Sequence, residues 1–145
     1  MPYTNGQDAR HPIGRGRILV VEDELLVGLD IACTLEEQGY EVVDVVDSGD
    51  RALATAERER PDLVLMDITI RGAMDGIETA KSIGARGRTA IVFVTSYTDG
   101  PFRERAEATR PAGYVTKPFT PVDLERAVRR ALAQTDEQEL RTVSA

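Results

Sequence analysis

The sequence predicts an α/β fold in which five parallel strands form a doubly wound sheet covered by helices on both faces. Three observations carry that expectation. Five short apolar runs alternate with five helix-like segments, the pattern of parallel strands joined by crossover helices and buried on both sides. Several of the runs stop on polar side chains that match one another chemically: Glu22 and Asp23 after the first, Asp67 after the third, Thr95 after the fourth and Lys117 just beyond the fifth. Finally, 145 residues suit one domain with a proper core and short tails, and are too few for two ordinary domains.

Taken in order, the first strand is expected over 17–22, around Ile18-Leu19-Val20-Val21, and a helix over 24–38 is stopped by Gly39. A second strand over 41–46 leads to a helix over 48–59, where Ser48 can serve as the cap. Pro61 breaks the chain before the third strand, 62–66, whose run Leu63-Val64-Leu65-Met66 closes on Asp67. The third helix is expected over 76–85 and the fourth strand, Ile91-Val92-Phe93-Val94, over 90–94. A fourth helix over 101–109 ends before Pro111, and the fifth strand follows over 112–115. Pro121 fits the first turn of a last helix over 121–134. Residues 1–16 contain Asn-Gly, His-Pro and Gly-Arg-Gly without apolar periodicity, and read as a disordered leader. The domain then spans 17–134, with a tail over 135–145.

Hydrophobic content of 41% and charged content of 30% are ordinary for a globular protein. The apolar runs are strand-sized and the first seventeen residues lack an apolar core of signal-peptide length, so a cytoplasmic protein without membrane spans is expected. The net charge of -7 divides unevenly: acids crowd between Glu22 and Glu78, while Arg103, Arg105, Arg110, Lys117, Arg126, Arg129 and Arg130 gather later. An acidic end opposed to a more basic face disfavours direct nucleic-acid binding. The lone Cys33 has no disulfide partner and no neighbouring metal ligand, and reads as a small packing residue.

The strand-end residues carry the chemistry. The carboxyl ends of an open parallel sheet share one edge, and ligands bind in the crevice there. Crowded carboxylates would tend to stay protonated without a shared cation. Mg²⁺ takes one or two protein carboxylates along with water and phosphate oxygens. Asp23 and Asp67 suffice for that, with Glu22 acting through water or hydrogen bonds. Lys117 and the Thr95 hydroxyl then add a cation and a donor aimed at an anion beside the metal, a pocket suited to phosphoryl transfer. Asp67 is the candidate nucleophile, since a carboxylate can form an acyl phosphate. Each residue also has a plainer reading: Thr95 and Tyr114 are good strand formers, Lys117 can be a loop charge, and Glu22 and Asp23 can favour the start of the next helix. Gly72 and Gly76 read as backbone turns, since there is no phosphate-cradling glycine loop.

In order along the chain, Val21-Glu22-Asp23-Glu24, Leu65-Met66-Asp67, Met74-Asp75-Gly76, Val94-Thr95-Ser96 and Gly113-Tyr114-Val115-Thr116-Lys117-Pro118-Phe119 resemble the response-regulator receiver domain of two-component signalling. The resemblance covers roughly 17–133. It implies a flavodoxin-like (βα)5 sheet of order 2-1-3-4-5 and phosphorylation of Asp67 by a sensor histidine kinase. It also implies Mg²⁺ held by Asp23, Asp67 and the main-chain carbonyl of Thr69 with Glu22 beside them, and a cis peptide between Lys117 and Pro118. Thr95 and Tyr114 fall at the paired switch positions, which report to the face of the fourth helix, fifth strand and fifth helix. The loop 69–76 lacks a proline usual before its methionine-glycine segment, and Arg110-Pro111-Ala112 replaces the common approach to the last strand. With about eleven residues after Gln134, a stand-alone receiver is expected. It would be a phosphoacceptor that assists its own phosphoryl transfer and dephosphorylation rather than an enzyme. It would act on a histidine phosphotransfer protein or another protein target, or as a phosphate sink, and form at most a weak homodimer. The alternatives are a phosphorylation-independent pseudo-receiver, a haloacid-dehalogenase-like phosphatase and an FMN binder of the same fold. The phosphatase requires a second acid where this chain has Thr69, and the FMN site requires a Ser/Thr/Gly-rich loop where it has Glu22-Asp23-Glu24.

Overall fold

The computed structural model of the chain describes residues 14–70 and 72–144. Five parallel strands, β1 (Arg17–Val21), β2 (Glu41–Val46), β3 (Leu63–Asp67), β4 (Ala90–Thr95) and β5 (Gly113–Thr116), lie in the order β2-β1-β3-β4-β5. Between and after them run α1 (Leu25–Glu37), α2 (Gly49–Glu59), α3 (Gly76–Gly84), α4 (Arg103–Ala108) and α5 (Pro121–Ser144), with a 3-10 turn at Tyr97–Phe102 leading into α4. The doubly wound sheet and its strand order are those expected.

Strand periodicity builds two cores. Alternate residues of β1, β3 and β4 face opposite sides. Ile18, Leu63, Leu65 and Val92 meet Leu35 of α1 and Leu124 and Val128 of α5, whereas Leu19, Val64, Met66 and Phe93 meet Ala52 of α2, Ile77 and Ala80 of α3 and Ala106 of α4. Every residue of β3 and β4 is buried, which is why their sequences are unbroken apolar runs up to the final polar residue. In β2, at the edge, the pairing steps from Ile18↔Val42 to Leu19↔Asp44, a bulge at Val43.

Ser48 accepts from Arg51 N at 3.3 Å as the N-cap of α2. At the start of α5, Thr120 and Asp123 exchange two hydrogen bonds of 3.1 Å each. Helix α2 ends just before Arg60 and α4 two residues before Arg110, both arginines in the left-handed region, at φ 48° and 56°, with a proline next; the following ring disfavours the right-handed helical conformation.

Several details differ from expectation. The fourth helix begins as the 3-10 turn, which contains Pro101, and becomes α-helical only at Arg103. The last helix continues past Gln134 to Ser144. Cys33 is exposed: α1 buries Gly28, Ile31, Ala32 and Leu35, and Cys33 lies off that stripe. Most of the expected leader lies outside the described residues. Within it, Arg15 pairs with Glu125 at 2.7 Å, lies 4.8 Å over the Tyr40 ring, and donates its backbone N–H to Gly39 O at 3.1 Å. No helix among the described residues is long and apolar enough to cross a membrane.

Candidate functional site

The parallel register brings the strand ends together. Val21 pairs with Met66, Asp67 with Val94 and Thr95 with Thr116, so Glu22, Asp67, Thr95 and Lys117 emerge along one edge, each one residue from the last or at it. Asp67 is 4% exposed and Glu22 2%. Glu22, Asp23 and Asp67 each offer a carboxylate oxygen, all within 4.8 Å of one another. Lys117 reaches into this group, with Nζ 3.3 Å from Glu22 Oε1 and 3.3 Å from Asp67 Oδ2.

Local contacts hold the two buried carboxylates in place. Glu22 Oε2 accepts from Glu24 N at 3.1 Å, so this acid folds back on the turn into α1. Asp67 Oδ1 accepts from Thr69 N at 3.1 Å and lies 3.4 Å from the Thr69 hydroxyl. Lys117 N donates to Thr95 O at 2.7 Å, which laces the strand end bearing the hydroxyl to the one bearing the ammonium. Thr95 is itself buried. The Lys117–Pro118 peptide is cis, as the resemblance implies.

The loop between β3 and α3 closes against the acceptor strand. Gly72 takes a φ of 109°, a conformation that side chains resist, and is a turn glycine as read from the sequence. Gly76 is different. A Cβ there would overlap the Asp67 carbonyl oxygen and sit 2.9 Å from Ile68 Cα, while Gly76 N donates to Ile68 O at 3.0 Å. Its requirement is close approach of the first turn of α3 to the Asp67 backbone, a tertiary fact that a turn reading misses.

The electrostatics match the crowding. Burial, then repulsion from Asp67, pushes the Glu22 carboxyl up to about 7 against the relief given by Lys117 and the Glu24 amide. Burial works against the Lys117 charge, but Asp67 and Glu22 together outweigh it and hold the ammonium above its ordinary value. Three hard oxygen donors, two of them buried and one, Glu22, held toward neutrality by burial and then by Asp67, form a donor set that suits Mg²⁺. Asp23 is the more exposed of the three.

Tyr114, on β5, is half-buried against Phe93, with ring centroids 6.0 Å apart. The Arg103 guanidinium carbon lies 4.0 Å from its ring centroid. Burial, and then the Glu107 carboxylate, raises the phenol; its buried hydroxyl has no hydrogen-bond partner among the described residues. Sequence reasoning singled out Tyr114 but not Arg103, which no local motif marks. It also passed over the Asp75-to-Glu78 capping box at the start of α3, although an acid three residues before Glu is its signature.

A family model described as the response regulator receiver domain matches residues 18–129. The transcriptional regulatory protein PdtaR of Mycobacterium tuberculosis is 36% identical over 118 residues, which cover 81% of this chain and 57% of that protein. The DNA-binding response regulator MtrA of Mycobacterium tuberculosis is 32% identical over 124 residues, covering 86% and 54%. The chain thus spans about half the length of these curated relatives. Among solved structures, the signal receiver domain of a modulated diguanylate cyclase from Desulfovibrio desulfuricans superposes with a TM-score of 0.80 at 36% identity, over 85% of this chain and 98% of that one. The chemotaxis protein CheY4 of Vibrio cholerae does so with a TM-score of 0.72 at 28% identity, over 79% and 97%.

Proposed function

The chain belongs to the response-regulator receiver family, and from that premise we propose that Asp67 accepts a phosphoryl group from a sensor histidine kinase and passes the signal to a protein partner. The observation that supports this reading most is the position of the Lys117 ammonium, 3.3 Å from an oxygen of both Asp67 and Glu22, beside a carboxylate cluster suited to Mg²⁺.

In the transfer, an Asp67 carboxylate oxygen attacks the phosphorus of the kinase phosphohistidine. The new P–O bond forms as the P–N bond breaks, and the electron pair returns to the imidazole nitrogen. Asp23 and Asp67, with the Thr69 carbonyl and Glu22, would hold Mg²⁺, which supplies positive charge at the phosphoryl oxygens. Lys117, already bound to Asp67 Oδ2, is poised to follow the charge onto the phosphoryl group, and Thr69 N–H fixes the carboxylate through Oδ1. The Thr95 hydroxyl, at the end of β4 and tied by its carbonyl to Lys117 N, would donate to the phosphoryl group. Tyr114, on the paired strand, would turn into the space Thr95 leaves.

The test is intact mass after incubation with acetyl phosphate and Mg²⁺. Wild type should gain one phosphate and Asp67→Asn none; equal incorporation by both would dismiss Asp67 as the acceptor. An unmodified wild type that still binds a partner would favour the phosphorylation-independent reading.

A further inference from the structure

The Asp75 carboxylate serves two elements at once. Its Oδ1 accepts from Glu78 N at 2.9 Å and Asp75 N donates to Glu78 Oε1 at 3.1 Å, closing the capping box of α3. Its Oδ2 lies 3.1 Å from Arg105 Nη1 of α4. The first turn of α3 that this cap fixes is the turn whose Gly76 abuts the Asp67 carbonyl. A chain of contacts therefore runs from α4 through Arg105, Asp75 and Gly76 to the backbone of the candidate acceptor.

Helix α4 has little else to place it. It is six residues long and buries one side chain, Ala106. Arg103 and Arg105 stand two positions apart, so they leave the helix on nearly opposite sides: Arg103 goes to the Tyr114 ring and Arg105 to Asp75.

We propose that Arg105 is a positioning residue: by engaging Asp75 it holds the first turn of α3 against Asp67 and makes the setting of the acceptor loop depend on where α4 sits. A shift of α4 releases the oxygen not used by the cap and loosens the turn. The reverse also holds, since a coupling free energy acts equally on both partners. The effect on phosphoryl chemistry rests on the function proposed above, but the tie between the helices does not.

Backbone hydrogen exchange of the full chain, without phosphodonor, tests the tie. Arg105→Ala should speed exchange at the Glu78 and Thr79 amides about two- to fivefold, the range set by one partly exposed ion pair. Arg105→Lys should restore most of the protection. Asp75→Ser keeps a capping oxygen but loses the charge, so adding Arg105→Ala to Asp75→Ser should change the α3 amides no further. Unchanged α3 amides in Arg105→Ala, or an equal effect of Arg105→Ala in the Asp75→Ser background, would overturn the proposal. The initial rate of acetyl phosphate labelling in the same variants forms a separate arm. It should change in Arg105→Ala and recover in Arg105→Lys, which loss of fold stability alone would not produce at temperatures where both are fully folded. If wild type takes no phosphate, the proposed function fails while the exchange data still decide the tie.

Discussion

Helices α5 and α4 flank the same end of the sheet from opposite faces, and they are held there by different forces. Helix α5 buries Leu124, Val128 and Ala131 completely, each large aliphatic side chain contributing about 1.5–3 kcal/mol. Helix α4 buries only Ala106 and relies on Arg103 over Tyr114 and Arg105 on Asp75, interactions worth up to about 1 kcal/mol each at partly exposed positions. Apolar burial is indifferent to charge at the sheet edge. The ties of α4 end on Tyr114 of β5 and on Asp75 in the loop after β3, groups that lie near that edge.

The sharpest way to break this contrast is Leu124→Ala. It should lower the unfolding free energy in urea by about 3 kcal/mol through the cavity it opens, with carboxylate-edge NMR shifts in the folded protein preserved. A loss under about 1 kcal/mol would mean that α5 is not anchored as described.

At the same sheet edge, just past β1, lies Glu22, where burial and charge conflict. Its folded-state carboxyl binds a proton more tightly than in the unfolded chain, so stability should fall as pH rises from about 4.5 to about 7 and level off above. At about 1.4 kcal/mol for each tenfold change in proton affinity, the decline reaches about 3 kcal/mol in the metal-free protein. Glu22→Gln should remove it. Parallel stability curves for the two proteins across that range would refute the assignment to Glu22.

Asp75→Ala should cost about 1 kcal/mol for the lost cap, with Asp75→Ser recovering most of it. Equal losses in the two variants would move the weight from the cap to the Arg105 pair. The smallest effect is expected from Arg103→Ala, under about 1 kcal/mol in global stability, together with a shift of the Tyr114 ring resonances. Tyr114 resonances that stay where they are would remove Arg103 from the account of α4.

The strands that carry the acids and Thr95 were legible because the apolar runs of β1, β3 and β4 are unbroken up to their polar ends, and because parallel strands deliver those residues to one edge whatever the details of packing. Thus Glu22, Asp67 and Lys117 meet in the fold, with Thr95 at the neighbouring strand end on the same edge. Gly76 was misread as a turn because its reason, the Asp67 carbonyl, lies nine positions away in sequence. The Arg105–Asp75 tie joins residues with a whole strand and helix between them, and nothing local marks either as a partner. Cys33 was misjudged because composition reports that cysteine is often buried, whereas the phase of α1 decides which side it occupies. The continuation of α5 was missed because Thr135-Asp136-Glu137-Gln138-Glu139 carries no apolar period, although its Glu and Gln residues are good helix formers.

The irregular β2 has a bearing on how copies of this protein can meet. An edge strand offers its backbone to any chain that can extend the sheet. Here the bulge at Val43 breaks the even spacing of that edge, Glu41 and Asp44 line it with exposed negative charge, and the Val45 N–H is already taken by the Asp44 carboxylate at 2.8 Å. At the far side, β5 is only four residues long. Among the described residues neither margin is a good template for β-augmentation, which disfavours fibrillar stacking of copies and favours contact through side-chain surfaces that can come apart again.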